Sequence, residues 1–499
     1  MSAHLSRRHF LATSSAWAAA SSLGIAQSSD HRTISIIHTT DLHGHILPLI
    51  NYAGKGDVGG FARCATQIRR WKKENPNSLL VDIGDLYQGT AASFNNQGRL
   101  FVDFLANLEY DAWVLGNHDF DWGPEVLGKN LEAAKTSILT ANLTLDSKTP
   151  GNLPGSLGKI IPWKMCEIGG FKIALIGLIT PGLPYWLTPE TLGGILPTDT
   201  TAALKKSIAQ AKSAHADAIL VLGHFGHRER DDFANPLNQT LRHAPGADVY
   251  IAGHTHIHIP SMEVENTLFT QVGCFGEFCG KIDLTFDLNS RKLISKAAIT
   301  ELMDARYELD PGVINLAQPA LKASAGQLAR VLTTLTAPIP QSSLTGFLCE
   351  CFAAALKRNQ TPVDAVFHGT FGIKEIPVGP VTVADAWKIV PYENMLVTAT
   401  LTPTQLLEIV AEDRDNHSGR TLWPFEVISD EMKKPVRILK DGTDLPADKT
   451  ITVAFNSYDS QSGGQSLMRL REIIQLPSSN RRSIDINTRD ALIESLLKL

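Results

Sequence analysis

Residues 33–45 read TISIIHTTDLHGH, a β-branched run that ends in a cluster of polar side chains. Four further apolar runs end in the same way, in Gly84-Asp85, in Gly116-Asn117-His118-Asp119, in Gly223-His224 and in Gly253-His254-Thr255-His256. Helical patterns such as Phe61–Lys73 and Thr201–His215 separate these runs, which predicts an α/β fold with buried strands. In such folds the functional side chains lie just past the carboxyl ends of the strands.

The polar clusters carry carboxylate, imidazole and amide groups, which are ligands for divalent metal ions. A single Asp-x-His or Gly-His pair is weak support, because polar residues commonly end a strand. Five such clusters, each after a predicted strand, are a stronger signal, and their ligand types suit Mn²⁺, Zn²⁺, Co²⁺ or Fe. The sequence therefore predicts a metal site at the carboxyl ends of the strands.

The order of these motifs, with Gly84-Asp85-Leu86-Tyr87-Gln88-Gly89 as the second, resembles that of the calcineurin-like metallophosphoesterases. More narrowly, it is similar to the 5′-nucleotidase family of exported two-domain enzymes. The resemblance covers nearly all of residues 33–499 and is most specific in the first half. It implies an N-terminal four-layer α/β/β/α sandwich and a C-terminal α/β substrate-binding domain of the 5′-nucleotidase type.

The resemblance also implies two divalent metal ions about 3.5–4 Å apart, with Mn, Zn, Co or Fe as candidates. The first ion would be held by Asp41, His43, Asp85 and His256. The second would be held by Asn117, His224 and His254, with Asp85 bridging the two. A hydroxide activated by the metals would attack phosphorus in line with the leaving oxygen.

His118 and Asp121 are the residues to which the family assigns a catalytic role. The resemblance implies that His118 stabilises the transition state or protonates the leaving alkoxide. Asp121, three residues on, would accept the other imidazole N–H and fix the tautomer. The alternative is that Asp121 only caps a helix, because Trp122-Gly123-Pro124-Glu125 could begin one.

Four residues of the second half are candidates for binding the substrate. The resemblance places Lys374 where the family has an arginine, and lysine lacks the planar fork that binds two oxygens. Tyr458 fits one of two aromatic side chains that stack on the base. Trp423 or Phe425 could be the second, and core packing explains both equally well. As an alternative, Lys374 is a solvated surface residue.

The leaving group is less certain than the reaction, because the substrate loop of the second half departs from the family pattern. Lys374 replaces arginine, and Gln465 stands where many relatives have aspartate. We expect a nucleotide as the small-molecule phosphate ester. The alternatives on the same scaffold are a 2′,3′-cyclic nucleotide, a UDP-sugar or a sulfur-linked ester, and a non-catalytic nucleotide-binding protein is the most remote.

The first 27 residues have the pattern of an export signal. Ser6-Arg7-Arg8-His9-Phe10-Leu11 is a twin-arginine motif, and the uncharged run 11–26 that follows is too short and polar for a membrane anchor. We therefore expect the twin-arginine export machinery as a partner and a periplasmic or secreted mature protein without an anchor. The alternative is a frayed N-terminal helix on a cytosolic protein.

Composition and charge exclude two further classes of protein. The 499 residues are 43% hydrophobic and carry a net charge of −5, which argues against disorder and against nucleic-acid binding. We expect a catalytic domain over 30–303, a linker over 304–340 with a helix from Ala320 to Leu335 that starts at Pro319, and a second domain over 341–499. The six cysteines have no CxxC spacing and are expected to be buried thiols, with a Cys274–Cys279 bridge as the less favoured alternative.

Overall fold

The computed structural model describes residues 30–51, 53–145, 155–370, 375–417 and 419–499. The signal segment predicted over 1–27 lies outside these ranges. The strands of the first half are β1 (His31–Thr39), β2 (Ser78–Asp82), β3 (Ala112–Val114), β4 (Ser137–Leu139), β5 (Leu143–Leu145), β6 (Ile160–Ile161), β7 (Trp163–Ile168), β8 (Phe171–Ile179), β9 (Ile195–Pro197), β10 (Ala218–His224), β11 (Val249–Ala252), β12 (His258–Val264), β13 (Thr267–Val272), β14 (Phe278–Asp287) and β15 (Leu293–Leu302). Its helices are α1 (Phe61–Glu74), α2 (Ala91–Asn95), α3 (Arg99–Leu108), α4 (Gly123–Ala133), α5 (Pro189–Leu192), α6 (Thr200–Ser213), α7 (Leu237–His243) and α8 (Pro311–Leu328).

Two sheets form the centre of the first half. The seven-stranded sheet has the order β15-β14-β1-β2-β3-β4-β6, and the six-stranded sheet has the order β12-β13-β11-β10-β8-β7. Alternation along β1 explains why both of its faces are apolar: Ile34 and Ile36 pack between the sheets, whereas Ile37 faces the helices. Strands β1 to β4 run parallel to one another, as do β8, β10, β11 and β13.

Helices cover the outer face of each sheet and complete four layers. Helices α1, α3, α4 and α8 contribute to the core on the outer face of the seven-stranded sheet. Helices α6 and α7 pack on the outer face of the six-stranded sheet. The expected α/β/β/α sandwich is therefore confirmed.

The second half is built on a five-stranded sheet. The strands of the second half are β16 (Val331–Leu335), β17 (Ala365–His368), β18 (Gly379–Thr382), β19 (Met395–Leu401), β20 (Thr421–Trp423), β21 (Glu426–Ser429), β22 (Pro435–Lys440), β23 (Thr443–Asp444), β24 (Ile451–Asn456) and β25 (Arg482–Asn487). Its helices are α9 (Gln341–Arg358), α10 (Val383–Ile389), α11 (Pro403–Asp415), α12 (Ser457–Ser460), α13 (Met468–Ile474) and α14 (Thr488–Leu496). The order is β20-β17-β24-β19-β25, with α9, α10 and α14 on one face and α11 and α13 on the other. This agrees with the expected C-terminal α/β domain.

The helix expected over Ala320–Leu335 was predicted with both ends wrong. It begins at Pro311, because the Asp310 carboxylate accepts the Val313 N–H at 2.9 Å and caps the first turn. Pro319 therefore lies inside the helix. The helix ends at Leu328, and the β-branched residues that follow form β16, which pairs with β18. The domain limits at 303/304 and 340/341 stay predictions.

All six cysteines are buried free thiols, so the alternative bridge between Cys274 and Cys279 is not formed. Burial raises the pKa of the Cys274 thiol, which disfavours the reactive thiolate. Within the described ranges, no helix combines the length and the apolar character that a membrane crossing requires.

Candidate metal centre

The five polar clusters meet at one edge of the sandwich. They follow β1, β2 and β3 of the first sheet and β10 and β11 of the second. These strands run parallel within each sheet, so their carboxyl ends lie together and bring the polar loops into contact. The seven predicted metal ligands are Asp41, His43, Asp85, Asn117, His224, His254 and His256.

The first group of ligands comprises Asp41, His43, Asp85 and His256, whose candidate ligand atoms all lie within 4.8 Å of one another. The Nε2 atoms of His43 and His256 are 3.0 Å apart. Two such nitrogens cannot both carry a hydrogen at this distance, so at least one of them turns a lone pair towards the position between them. His256 Nε2 also lies 3.3 Å from Asp41 Oδ1, which adds a carboxylate to that position.

The second group comprises Asp85, His224 and His254. His224 Nε2 lies 3.2 Å from Asp85 Oδ2, so the Asp85 carboxylate belongs to both groups. His224 Nε2 and Asn117 Oδ1 are buried and have no hydrogen-bond partner among the described residues. Buried polar atoms of this kind carry a cost unless something binds them. The donor set of nitrogen and oxygen atoms fits a pair of divalent cations that share Asp85.

Backbone carbonyls orient two of the imidazoles. His43 Nδ1 donates to the Gln88 carbonyl at 3.0 Å, and His224 Nδ1 donates to the Ile83 carbonyl at 2.6 Å. Each bond fixes the tautomer and leaves Nε2 as the ligand atom. The Asp85 carboxylate is held as well, because its Oδ1 accepts the His118 N–H at 2.7 Å.

The ligand loops have an unusual backbone. Asp41, His43, Asp85, His254 and His256 all have positive φ, between 46° and 74°. This left-handed conformation costs about 1–2 kcal/mol for a residue with a side chain, and such strain is typical of functional sites. The loops also approach one another closely: a Cβ at residue 116, which is glycine, would lie 2.2 Å from Asp85 Oδ1.

Burial and charge set the protonation of the ligands. Burial lowers the pKa of His43 and His254 to about 3, so both are neutral at pH 7, as metal ligands must be. Burial acts on His224 in the same direction, but the Asp85 carboxylate outweighs it and raises the pKa to about 9. A metal ion at this position would have to displace the His224 proton, so metal affinity should fall in acid.

His118 and Asp121 are brought together as a pair. His118 Nδ1 donates to Asp121 Oδ2 at 2.7 Å, and the imidazole is partly open to solvent. Burial lowers the pKa of His118, but the Asp121 and Asp85 carboxylates outweigh it and raise the pKa to about 9. Helix α4 has Trp122 at its N-cap position and no side-chain cap, so Asp121 is not the N-cap.

A cavity of about 510 Å³ opens beside the ligands and is lined by both halves of the chain. Asn117, His118, Asp121 and His254 line it from the first half. Tyr392, Glu393, Asn394, Ser457 and Tyr458 line it from the second half. The cavity thus places an aromatic, polar wall opposite the metal ligands, as a site for a small molecule requires.

Sequence reasoning identified Tyr458 at this cavity but missed Tyr392 and Trp186, which also line it. The Tyr392 ring lies 6.3 Å from that of His118 with the planes 13° apart, and the Trp186 ring lies 5.1 Å from that of His254. Tyr392 could have been found, because the stretch Ile389-Val390-Pro391-Tyr392-Glu393-Asn394 resembles the Val-Leu-Pro-Phe-Gly-Asn pattern of the 5′-nucleotidase family. Trp186 has no comparable signal.

Two of the expected substrate residues, Trp423 and Phe425, do not line the cavity. Phe425 is buried among the residues of α11 and α13, and Trp423 packs against the core formed by α9 and α14. The assignment of either as the second stacking residue is therefore not supported, and core packing explains both. Lys374 lies outside the described residues.

A buried ion pair of the second half is hydrogen-bonded to a ligand loop of the first half. Glu393 Oε1 accepts from Arg489 Nη1 at 2.8 Å, and Glu393 Oε2 accepts from Gln88 Nε2 at 3.0 Å. Arg489 also lies over the Trp387 ring at 3.4 Å. Because the Gln88 carbonyl orients His43, one residue contacts both the metal site and the opposite wall.

Two family models match the chain. The calcineurin-like phosphoesterase model matches residues 34–258, and the model of the 5′-nucleotidase C-terminal domain matches residues 322–471. The first match spans the five ligand loops. The second spans the strands and helices that carry Tyr392 and Tyr458.

Individual relatives agree with these models. The snake venom 5′-nucleotidase of Naja atra is 32% identical over 305 residues, covering 56% of this chain and 55% of the relative. The chain spans about half the length of such curated relatives. A putative 5′-nucleotidase from Staphylococcus aureus has the same fold, with a TM-score of 0.76 and 20% identity over 93% of this chain and 96% of that one.

A 5′-nucleotidase precursor from Thermus thermophilus also shares the fold, with a TM-score of 0.70 and 20% identity over 94% of this chain and 96% of that one. Both solved structures therefore contain the sandwich and the second domain in one chain. The residues matched by the two family models include the ligand loops of the first half and the cavity wall of the second. The chain therefore belongs to the two-domain calcineurin-like metallophosphoesterases with a 5′-nucleotidase C-terminal domain.

Proposed function

We propose that this protein is an exported, two-metal phosphoesterase that removes phosphate from nucleotides. The observation that carries the proposal is the cavity, which joins the metal ligands and His118 to an aromatic wall. The ligands suit a phosphate group, and the wall suits the flat base of a nucleoside. Membership of the 5′-nucleotidase family supports the same substrate class.

Divalent ions bound by the two ligand groups would lower the pKa of a water molecule and neutralise charge on the phosphate oxygens. Two features of the chain support metal binding of this kind. The carbonyls of Gln88 and Ile83 keep His43 and His224 in the tautomer that offers Nε2. Asp85, which is 1% exposed and shared by both groups, fixes their separation.

His118 is proposed as the residue that acts on the leaving group. Its Nδ1 is held by Asp121, which leaves Nε2 as the nitrogen that can reach the substrate. The surrounding carboxylates keep a proton on the imidazole at neutral pH, so His118 can donate it to the leaving oxygen. The imidazolium also stabilises negative charge that develops there.

Tyr392 and Tyr458 are proposed to hold the nucleoside. Both line the cavity on the side of the second half, and Ser457 and Asn394 add hydrogen-bonding groups beside them. Stacking on a tyrosine ring is open to every base, because each base has a flat face. A volume of about 510 Å³ is within the range of small-molecule sites.

A substrate panel tests this function. Metal-stripped mature protein reloaded with Mn²⁺ is expected to release phosphate from AMP faster than from p-nitrophenyl phosphate, 2′,3′-cyclic AMP or UDP-glucose. EDTA should abolish the activity, and Mn²⁺, Co²⁺ or Zn²⁺ should restore it. Phosphate release is measured colorimetrically, and kcat/KM is compared across the panel.

The panel separates the proposal from its alternatives. A preference for the cyclic nucleotide or the nucleotide sugar would show that the enzyme cleaves a bond other than the phosphate ester of AMP. Turnover of p-nitrophenyl phosphate alone would refute the nucleotide assignment while leaving the metal site intact. Tight AMP binding without turnover in metal-loaded protein would show a binding protein instead of an enzyme.

Export is proposed from the twin-arginine motif at residues 6–11. Replacing Arg7 and Arg8 together by lysine is expected to leave the full-length protein in the cytoplasm, because the export machinery reads the arginine pair. Fractionation of a bacterium that possesses this machinery, followed by immunoblotting, measures the distribution. Equal periplasmic amounts of both proteins would refute this route.

A further inference from the structure

The described lining of the cavity contains a single strongly basic side chain. Arg228 is the one arginine or lysine among the described residues that line it. It lies on the loop between β10 and α7, four residues after the metal ligand His224. Two acidic residues, Asp121 and Glu393, line the same cavity, so the distribution of charge inside it is uneven.

The loop that carries Arg228 is held by its own side chains. Asp231 accepts the N–H groups of Asn238 and Gln239 at 3.0 and 2.7 Å, at the start of α7. Asp232 Oδ1 accepts the N–H of Asn235 at 2.7 Å, and the Asn235 side chain accepts the Gly226 N–H at 3.1 Å. The two aspartates that follow Arg228 on this loop therefore bind backbone groups.

The Arg228 guanidinium is left with its donors unused. It donates no hydrogen bond to a described residue, and its ion contact with Asp232 Oδ2 is long, at 3.9 Å from Nε. The side chain is 45% exposed although it lines the cavity. An arginine held for structural reasons commonly binds a carboxylate in a bidentate pair, as Arg420 binds Asp459 here.

Arg228 is also close to the metal ligands. It lines the cavity together with His254. It therefore shares the cavity with a ligand of the second group, and it follows His224, another ligand of that group, by four residues in the sequence.

We propose that Arg228 binds a non-bridging oxygen of the substrate's phosphate group beside the metal ions. This inference rests on the function proposed above. The planar guanidinium fork matches phosphate oxygens, and its charge is permanent at any working pH. Among the described residues that line the cavity, Arg228 is the one arginine or lysine, so it sets the direction of the substrate, with phosphate at the ligands and the base towards Tyr392 and Tyr458.

The test compares Arg228→Gln, Arg228→Lys and the wild type, all loaded with Mn²⁺. Calorimetry measures the Kd of inorganic phosphate, and steady-state assays measure KM and kcat with AMP. For Arg228→Gln we expect the phosphate Kd and the AMP KM to rise about tenfold or more, with kcat changed less than threefold. Arg228→Lys keeps the charge without the planar fork, so its phosphate Kd and AMP KM should lie between those of the wild type and Arg228→Gln.

Arg230→Gln is the matched control, because Arg230 is exposed on the same loop and does not line the cavity. It should retain the wild-type Kd and KM. Metal content and melting temperature are measured for every variant, so that a folding defect is recognised. If Arg228→Gln fails to fold, the comparison of Arg228→Lys with the wild type decides whether Arg228 binds phosphate.

The outcomes separate the two claims. An unchanged phosphate Kd in folded, metal-loaded Arg228→Gln or Arg228→Lys would overturn the inference, and so would a fall in kcat alone. A wild type that binds phosphate but hydrolyses no ester of the panel would overturn the proposed function. In that case the calorimetric comparison would still decide the role of Arg228.

Discussion

Replacing Asp85 by alanine is expected to lower kcat/KM by at least about a thousandfold and to reduce the bound metal from two ions per chain to one or none. Asp85 is the carboxylate that both ligand groups share, and it is 1% exposed. Its Oδ2 lies 3.2 Å from His224 Nε2 and 3.7 Å from His43 Nε2. Without it the two groups have no common ligand, and the His224 imidazole loses the carboxylate that pairs with it.

Metal analysis and thermal unfolding measure this effect without relying on activity. Bound Mn²⁺ stabilises the folded state by mass action, so EDTA should lower the melting temperature of the wild type. The melting temperature of Asp85→Ala should respond little to EDTA, because the variant holds little metal. Two bound ions and an unchanged response to EDTA would refute the bridging role.

Asp82→Asn is the matched control for Asp85→Ala. Asp82 is a buried carboxylate near the same loop, and it accepts from Thr39 Oγ1 and the Gly84 N–H. Burial raises the pKa of Asp82 well above its usual value, and asparagine keeps the shape of the side chain. The control should therefore keep both metal ions and most of the activity.

The arrangement of the first half could be predicted because two local rules act together. Buried parallel strands give continuous apolar runs, and polar residues that follow them collect at one edge of the sheet. The residues after β1, β2, β3, β10 and β11 follow this pattern. Periodicity therefore indicated both the layers and the loops that meet, even though residues 41 and 256 are far apart in the sequence.

What the sequence did not reveal depends on backbone conformation and on long-range packing. The left-handed φ of Asp41 and His254 could not be predicted from the residue type, because aspartate and histidine adopt this region more often than most residues but at only a small minority of positions. The extent of α8 was mispredicted because Pro319 resembles a helix start, whereas the Asp310 cap lies nine residues earlier. Local patterns describe an element's type better than its ends.

The second half was harder to predict because its substrate residues serve two roles that look alike. An aromatic residue at a sheet edge packs in a core or stacks on a ligand with equal ease. Phe425 and Trp423 belong to cores, whereas Tyr392 and Tyr458 face the cavity. Only the position of the second half against the ligand loops separates these cases. That position depends on contacts such as Gln88 with Glu393, which join residues 305 positions apart.

Replacing His118 by alanine is expected to lower kcat for AMP by about 10²- to 10⁴-fold while two metal ions stay bound. His118 lines the cavity and donates from Nδ1 to Asp121 Oδ2, and its side chain belongs to neither ligand group. Asp121→Asn removes the charge that orients the imidazole and should cost less. The double variant should be about as slow as His118→Ala alone, because the two residues act as a unit.

The leaving group distinguishes the two roles that His118 could have. If it protonates the leaving oxygen, His118→Ala should affect AMP far more than p-nitrophenyl phosphate, since a nitrophenolate leaves without a proton. An equal loss on both substrates would instead assign it to stabilising charge in the transition state. His258→Ala is the matched control: His258 stacks on Phe278 and bonds Thr300 away from the cavity, so kcat should stay near the wild-type value. Full activity of His118→Ala with AMP would remove it from the mechanism.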